Sequence, residues 1–108
     1  MKFESLKKKK DFAKALKSGK RIYCPSVTVV FYPAEEPRFA VCVGKKYGKS
    51  VARNRLKRLL REAFRFHADK LTVPFSVLLI PKPAEEYSYE TFRRDIGVAV
   101  EKGNRIHA

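Results

Sequence analysis

Cysteine is scarce: the 108 residues contain two, Cys24 and Cys42, and no C-x-x-C pair. That argues against a disulfide framework and against a cysteine-based zinc site. Both cysteines read as small strand residues in a reducing compartment. Long apolar runs are missing too, none approaching the roughly 18–20 residues that a membrane helix needs. The opening Met1-Lys2-Phe3-Glu4-Ser5-Leu6 leads into four lysines, without the apolar stretch of a signal peptide. The expected location is cytoplasmic. Histidine is limited to His67, on the core side of its helix, and His107. Both read as structural or surface residues. No Ser/His/Asp or Cys/His set stands out. The pairs Glu35-Glu36 and Glu85-Glu86 fall in predicted turns and read as solvated carboxylates. The chain is therefore expected to carry no catalytic residue and no metal site of its own.

Acidic residues are also few: 11 Asp+Glu stand against 25 Lys+Arg, a net charge of +14. The excess is concentrated. Residues 2–21 carry a net +7 and residues 45–65 a net +8, while the remainder is nearly neutral. A solvated surface normally intersperses the signs. Concentrating one sign costs self-repulsion, which an anionic partner offsets. Nucleic acid is the first candidate, because phosphate contacts dominate such binding. An acidic membrane surface is the second.

The length and a hydrophobic content of 44% predict one folded domain over residues 1–108. Residues 11–18 suit a short helix, with Phe12, Ala15 and Leu16 on one side and Gly19 as a stop. Ile22 to Tyr32 reads as a strand whose start Pro25 confines to an edge or a bulge. After a turn at residues 33–37, Phe39 to Val43 reads as a second strand, so 22–43 resembles a hairpin. Residues 51–67 make the clearest helix. Pro74 and Phe75 open a third strand, Ser76 to Ile80, whose unbroken apolar run predicts burial on both faces. Tyr89 to Val100 closes the chain as an amphipathic helix with Phe92, Ile96, Ala99 and Val100 inward. The expected fold class is α+β, an α-β-β-α-β-α sandwich with helices packed on one small sheet.

The helix at 51–67 carries the strongest signal. At about 100° per residue, Leu56, Leu59, Leu60, Ala63, Phe64 and Phe66 gather on one broad arc, the expected core face. Arg53, Lys57, Arg58, Arg61 and Arg65 span the opposite arc with Asn54, and Arg55 falls on the far flank. Arginine outnumbers lysine five to one over residues 53–65. Its planar fork suits bidentate phosphate recognition, and Asn54 can both donate to and accept from a base, a ribose or the backbone. Glu62 is the only acid available for pairing, so a helix face balanced by i,i+4 ion pairs does not account for the pattern. A membrane-lying helix would expose large apolar residues, which here serve the core.

Just before this helix, Gly44-Lys45-Lys46-Tyr47-Gly48-Lys49-Ser50 reads G-x-x-x-G-K-S, one residue short of a P-loop. The missing residue matters, because the loop's N–H groups must wrap the phosphates. The later apolar strand ends in Pro81 instead of a magnesium-binding aspartate. An anion site remains plausible chemistry for glycines, lysines and a helix N-terminus, with Ser50 as the expected N-cap. Phe12, Tyr23, Phe31, Tyr32 and Phe39 lie among or near basic residues, a pattern that suits stacking on unpaired bases. The sheet must bury one face, so only the other is free to stack.

The run from Val43 to Arg65, centred on Arg53-Asn54-Arg55 and continuing through Lys57-Arg58 and Arg61, closely resembles the signature of the bacterial ribonuclease P protein subunit. Leu6-Lys7-Lys8 through Asp11-Phe12 to Gly19 is similar to the family's first helix, and Phe75 to Ala84 to its third strand and exit turn. The likeness covers residues 5–100. It implies an α-β-β-β-α-β-α order with a left-handed β-α-β crossover, against the usual right-handed rule. It implies a protein that does not cut RNA itself: a large RNA subunit, with bound Mg²⁺, removes the 5′ leader of precursor tRNA. Carried over by position, Lys45, Lys46, Arg53, Asn54, Arg55 and Arg58 would contact the RNA subunit. Lys57 and Arg61 would border the leader cleft, and Phe12 would stack within it. Two positions depart from the family's pattern. Leu16 stands where a second aromatic is common, and Pro81 where a basic residue is common. The expected partners are the RNA subunit and the precursor tRNA leader, with no membrane and a monomeric protein outside the holoenzyme. The alternatives are a non-enzymatic structured-RNA-binding protein of the ribosome-associated type and a helix-in-groove DNA binder.

Overall fold

The computed structural model describes residues 1–106; His107 lies outside them. In chain order the elements are β1 (Glu4–Ser5), α1 (Lys9–Ser18), β2 (Lys20–Tyr23), β3 (Val27–Pro33), β4 (Arg38–Val41), a 3₁₀ turn (Lys45–Tyr47), α2 (Ser50–Ala68), β5 (Phe75–Pro81) and α3 (Tyr89–Ile106).

Strand β5 organises the sheet. Phe75 through Leu79 are all buried, so the strand needs a neighbour on each edge and a layer on each face. It receives both neighbours: the strand order is β1-β4-β5-β3-β2. β3 pairs with β5 antiparallel over Val27↔Pro81 to Pro33↔Phe75, and β4 pairs with it parallel over Arg38↔Ser76 to Val41↔Leu79. The expected 22–43 hairpin is therefore wrong: β5 lies between β3 and β4. The 33–37 segment spans this gap, with the Ala34 N–H donating to the Pro74 carbonyl at 3.3 Å.

The single strand expected over 22–32 is two strands. Cys24-Pro25-Ser26 turns the chain, the Cys24 N–H bonds to the Val27 carbonyl at 3.0 Å, and β2 folds back on β3 as an edge strand. Proline cannot donate to a ladder, which is why the break falls there. Cys24 thus sits in this turn and Cys42 just beyond β4, and both thiols are free. A further strand, β1, pairs parallel with β4. The order is α-β-β-β-α-β-α after this short N-terminal strand.

Alternation along the strands sorts the two layers. Val29, Phe31, Val77 and Leu79 join Leu56, Leu60, Ala63, Phe64, Phe92, Ile96, Ala99 and Val100 in the main core beneath α2 and α3. Val30 and Leu78 meet Ala15 of α1 in a smaller core, flanked by Leu6, Phe12, Tyr32, Ala40, Cys42 and Ile80. The helices thus cover both sheet faces, α1 on one and α2 with α3 on the other. The chain passes from β4 through α2 to the parallel neighbour β5, a β-α-β crossover.

Helices α2 and α3 approach closely at Gly97, where a Cβ would come within 2.8 Å of the His67 ring. His67 Nε2 donates to the Arg93 carbonyl at 2.7 Å, and Nδ1 accepts from Lys70 Nζ at 3.1 Å. Burial foremost holds its pKa below 6.5, against a contrary pull from the Arg93 carbonyl, with Lys70 and Arg93 adding to the depression. The imidazole is neutral and acts as a structural bridge between the helices.

Candidate nucleic-acid interface

The loop from Gly44 to Lys49 carries the chain from β4 into α2. Lys45–Tyr47 form a 3₁₀ turn, and Gly48 turns the chain out of it at φ +112°, a conformation that glycine adopts without Cβ strain. Tyr47 anchors the loop: its hydroxyl donates to the Pro81 carbonyl at 2.6 Å. Burial, with smaller effects from Tyr87 and Cys42, pushes the phenol's pKa up and keeps it a donor. The loop is thereby tied to the end of β5, while Lys45, Lys46 and Lys49 stay exposed. Lys46 Nζ lies 5.3 Å from the Tyr47 ring centre. The loop is a short 3₁₀ turn and not a phosphate-wrapping P-loop.

Ser50 is not the N-cap. That position is Lys49, which makes no side-chain cap, and the Ser50 hydroxyl instead accepts from Arg53 Nη2 at 3.2 Å. Arg53 Nε is buried and has no hydrogen-bond partner, so part of this guanidinium is drawn towards the protein. Asn54, Arg55, Arg58, Arg61 and Arg65 are exposed, while Arg53 and Lys57 are half-buried. The reason is angular. Leu56, Leu60, Ala63, Phe64 and His67 are buried as expected, but the core arc excludes Phe66, which is 55% exposed. Arg53 falls within that arc at the start of the helix, at an angle between Leu60 and Phe64, and Lys57 borders it on one side. Leu59 and Phe66 border the other, with Arg55 beyond them, and Phe66 meets Arg93 of α3.

Four ion pairs occur among the described residues, involving Arg38 twice, Arg94 and Arg105. None uses a basic residue of the 44–65 segment. The ridge therefore keeps its charge uncompensated, as an anion-binding surface requires. The six residues expected at the RNA subunit fall on one continuous stretch of loop and helix. Lys57 and Arg61 stand one turn apart on α2. Phe12 is half-buried in the α1 layer, against the opposite face of the sheet from the core that α2 seals. Phe12 thus belongs to a different layer from Lys57 and Arg61. Of the remaining aromatics named from sequence, Phe31 and Phe39 are core, Tyr32 is half-buried and Tyr23 is 69% exposed. Lys82 was missed by the sequence reading. It is exposed directly after the Pro81 carbonyl that Tyr47 holds, and only the fold brings it to the lysine loop.

Among the described residues, no group of three or more His, Cys, Asp or Glu is placed to hold a metal ion. Glu36 pairs with Arg38 at 2.6 Å. Asp95 accepts from the Ser26 N–H at 2.9 Å and the Ser26 hydroxyl at 2.5 Å. No helix of the described residues is long and apolar enough to cross a membrane.

A family model described as Ribonuclease P matches residues 1–103. The ribonuclease P protein component of Dictyoglomus thermophilum is 42% identical over 85 residues, covering 76% of this chain and 70% of that relative. Its counterpart in Dictyoglomus turgidum is 41% identical over 94 residues, covering 84% and 78%. Among solved structures, the RNase P protein from Thermotoga maritima superposes with a TM-score of 0.76 at 27% identity, covering 91% of this chain and 96% of that one. The Staphylococcus aureus RNase P protein shares the fold, with a TM-score of 0.77 at 22% identity over 95% and 96% of the two chains. The signature residues, the uncompensated basic helix and these likenesses agree: the chain belongs to the ribonuclease P protein family.

Proposed function

We propose that this chain is the RNA-binding, non-catalytic subunit of a ribonuclease P holoenzyme. It uses Lys45, Lys46, Arg53, Asn54, Arg55 and Arg58 to hold the large RNA subunit. The observation that carries this reading is the unbroken ridge from the lysine loop onto α2, in which no basic residue is paired with a carboxylate. Arginine forks on a rigid helix grip phosphates in fixed register, whereas lysines on the neighbouring loop supply adaptable point charges. The helix is rigid because Leu56, Leu60, Ala63 and Phe64 lock its opposite side into the core.

Phe12, Lys57 and Arg61 take the single-stranded 5′ leader of precursor tRNA. Phe12 offers the edge of a partly covered apolar layer, and the two cations offer phosphate contacts. Mg²⁺ belongs to the RNA subunit, where it supplies the chemistry of phosphodiester hydrolysis. The protein's own residues bind and orient RNA. Outside the holoenzyme the protein is a cytoplasmic monomer.

The test is cleavage of a 5′-leader precursor tRNA at low Mg²⁺ by a bacterial ribonuclease P RNA, with and without this protein. Correct 5′-end cleavage that requires the protein, with none from protein alone, is the expected result. Tight RNA binding without stimulation would move the chain to the general structured-RNA-binding reading.

A further inference from the structure

On the α2 border that faces α3, an aromatic and cationic cluster lies outside the residues assigned above. Phe66 is 55% exposed although it sits one residue from the buried His67. The Arg93 guanidinium of α3 lies over its ring at 4.8 Å from the centre, and over the Tyr89 ring at 5.8 Å. Lys70 Nζ lies 5.7 Å from the Phe66 ring centre. The His67 ring meets Phe66 edge-on at 4.9 Å. Among the described residues, neither Lys70 nor Arg93 has a carboxylate partner. The neutral His67 fixes the geometry, because it bonds both the Arg93 carbonyl and Lys70.

The cluster continues the proposed RNA ridge. Arg55 and Phe66 are eleven residues apart, which at about 100° and 1.5 Å per residue places them within about 20° on the helix and about 16 Å along it. One flank of α2 therefore runs from Arg55 near its start, past the exposed carboxylate of Glu62, to an exposed ring near its end, where two cations without a carboxylate partner converge. An exposed ring beside cations suits a base with its phosphate: the ring stacks and the cations take the charge. A protein partner's apolar side chain would leave Arg93 and Lys70 without counter-charge.

We propose that Phe66, with Arg93 and Lys70, binds an unpaired nucleotide of the RNA subunit, extending the contact that begins at Arg55. This rests on the RNA-binding reading of the basic ridge. The chain has no tryptophan, so Phe66→Trp installs a single indole reporter at an exposed site. Added to the full-length variant, a bacterial ribonuclease P RNA is expected to quench its emission. Phe66→Ala is expected to weaken that RNA's binding about tenfold, with the circular dichroism spectrum unchanged. Arg93→Gln is expected to weaken it and to lower its salt dependence. Arg53→Ala/Arg55→Ala serves as the separate control on the ridge. If that control loses affinity while the indole emission and the Phe66→Ala affinity stay unchanged, the nucleotide site is wrong and the ridge stands. If the control also binds normally, the RNA-binding reading of the ridge fails. A shift of Phe66→Ala in sedimentation without any change in RNA affinity would instead mark a self-association surface and overturn the proposal.

Discussion

Asp95 shows how one buried side chain can fix a turn. Its carboxylate accepts from both the Ser26 N–H and the Ser26 hydroxyl and faces Arg94 Nε at 3.2 Å. Burial pushes its pKa up, but the two Ser26 hydrogen bonds and Arg94 outweigh that and hold it below 3.8. A depressed carboxyl pKa means the unfolded chain binds more protons in the window between the folded value and 3.8. The stabilisation is therefore complete above that window and is lost as pH falls through the folded value. Asp95→Asn is expected to cost about 1–3 kcal/mol at neutral pH, because Ser26 loses a charged acceptor. Urea denaturation at pH 7 and at pH 3 tests this. The variant's deficit should shrink at the acid end, and a deficit equal at both pH values would rule out the carboxylate's charge as its source. Nothing in the sequence pairs Ser26 with Asp95, since 69 residues separate them.

At the scale of elements, α2 was legible in outline and misread at its edges. The apolar spacing located the helix and its buried stripe. It placed Phe66 inside because a wheel has no knowledge of where the neighbouring helix lies. In the fold, α3 packs against the His67 side of α2, and the core arc is narrower than the apolar arc. The entry into α2 depends on Gly48, whose φ of +112° is disfavoured for any residue with a Cβ. Gly48→Ala is expected to destabilise the fold by about 1–2 kcal/mol. It should also weaken RNA binding more than that loss alone would, because Lys45 and Lys46 would lose their orientation. Thermal unfolding and RNA affinity measured on the same preparation separate the two effects. The strands were read less well. Period-two patterning marks a strand but does not name its partner, so β3 and β4 were paired in sequence although the doubly buried β5 takes the place between them.

For the whole molecule, the charge of +14 acts as a long-range field as well as a set of contacts. The affinity for a large RNA should fall steeply with salt. Arg53→Ala/Arg55→Ala should reduce the slope of log affinity against log salt by about 2, roughly one unit per lost phosphate contact. A titration from low to physiological salt tests this. An affinity loss with an unchanged slope would assign these arginines to base contacts or to fold stability instead of phosphates. The fold places two layers around one sheet. The basic ridge of α2 lies with the main core, and α1 covers the other face through Ala15, Val30 and Leu78. That arrangement leaves Phe12 and Lys57 on different layers, a separation invisible in a linear chain.

The sequence by itself determined the family and the concentration of positive charge on one loop and one helix. Net charge, arginine content and helical period are local properties, and they survive in any fold that buries Leu56, Leu60 and Phe64. It also determined that β5 would be buried on both faces, since no other placement hides five consecutive apolar or small residues. Only the tertiary structure decided which strands flank β5, where Tyr47 ties the lysine loop to Pro81, and which helical arc α3 leaves open around Phe66. Each of these depends on the distance between residues far apart in the chain. Such distances are set by packing of the whole core, and no short-range pattern encodes them.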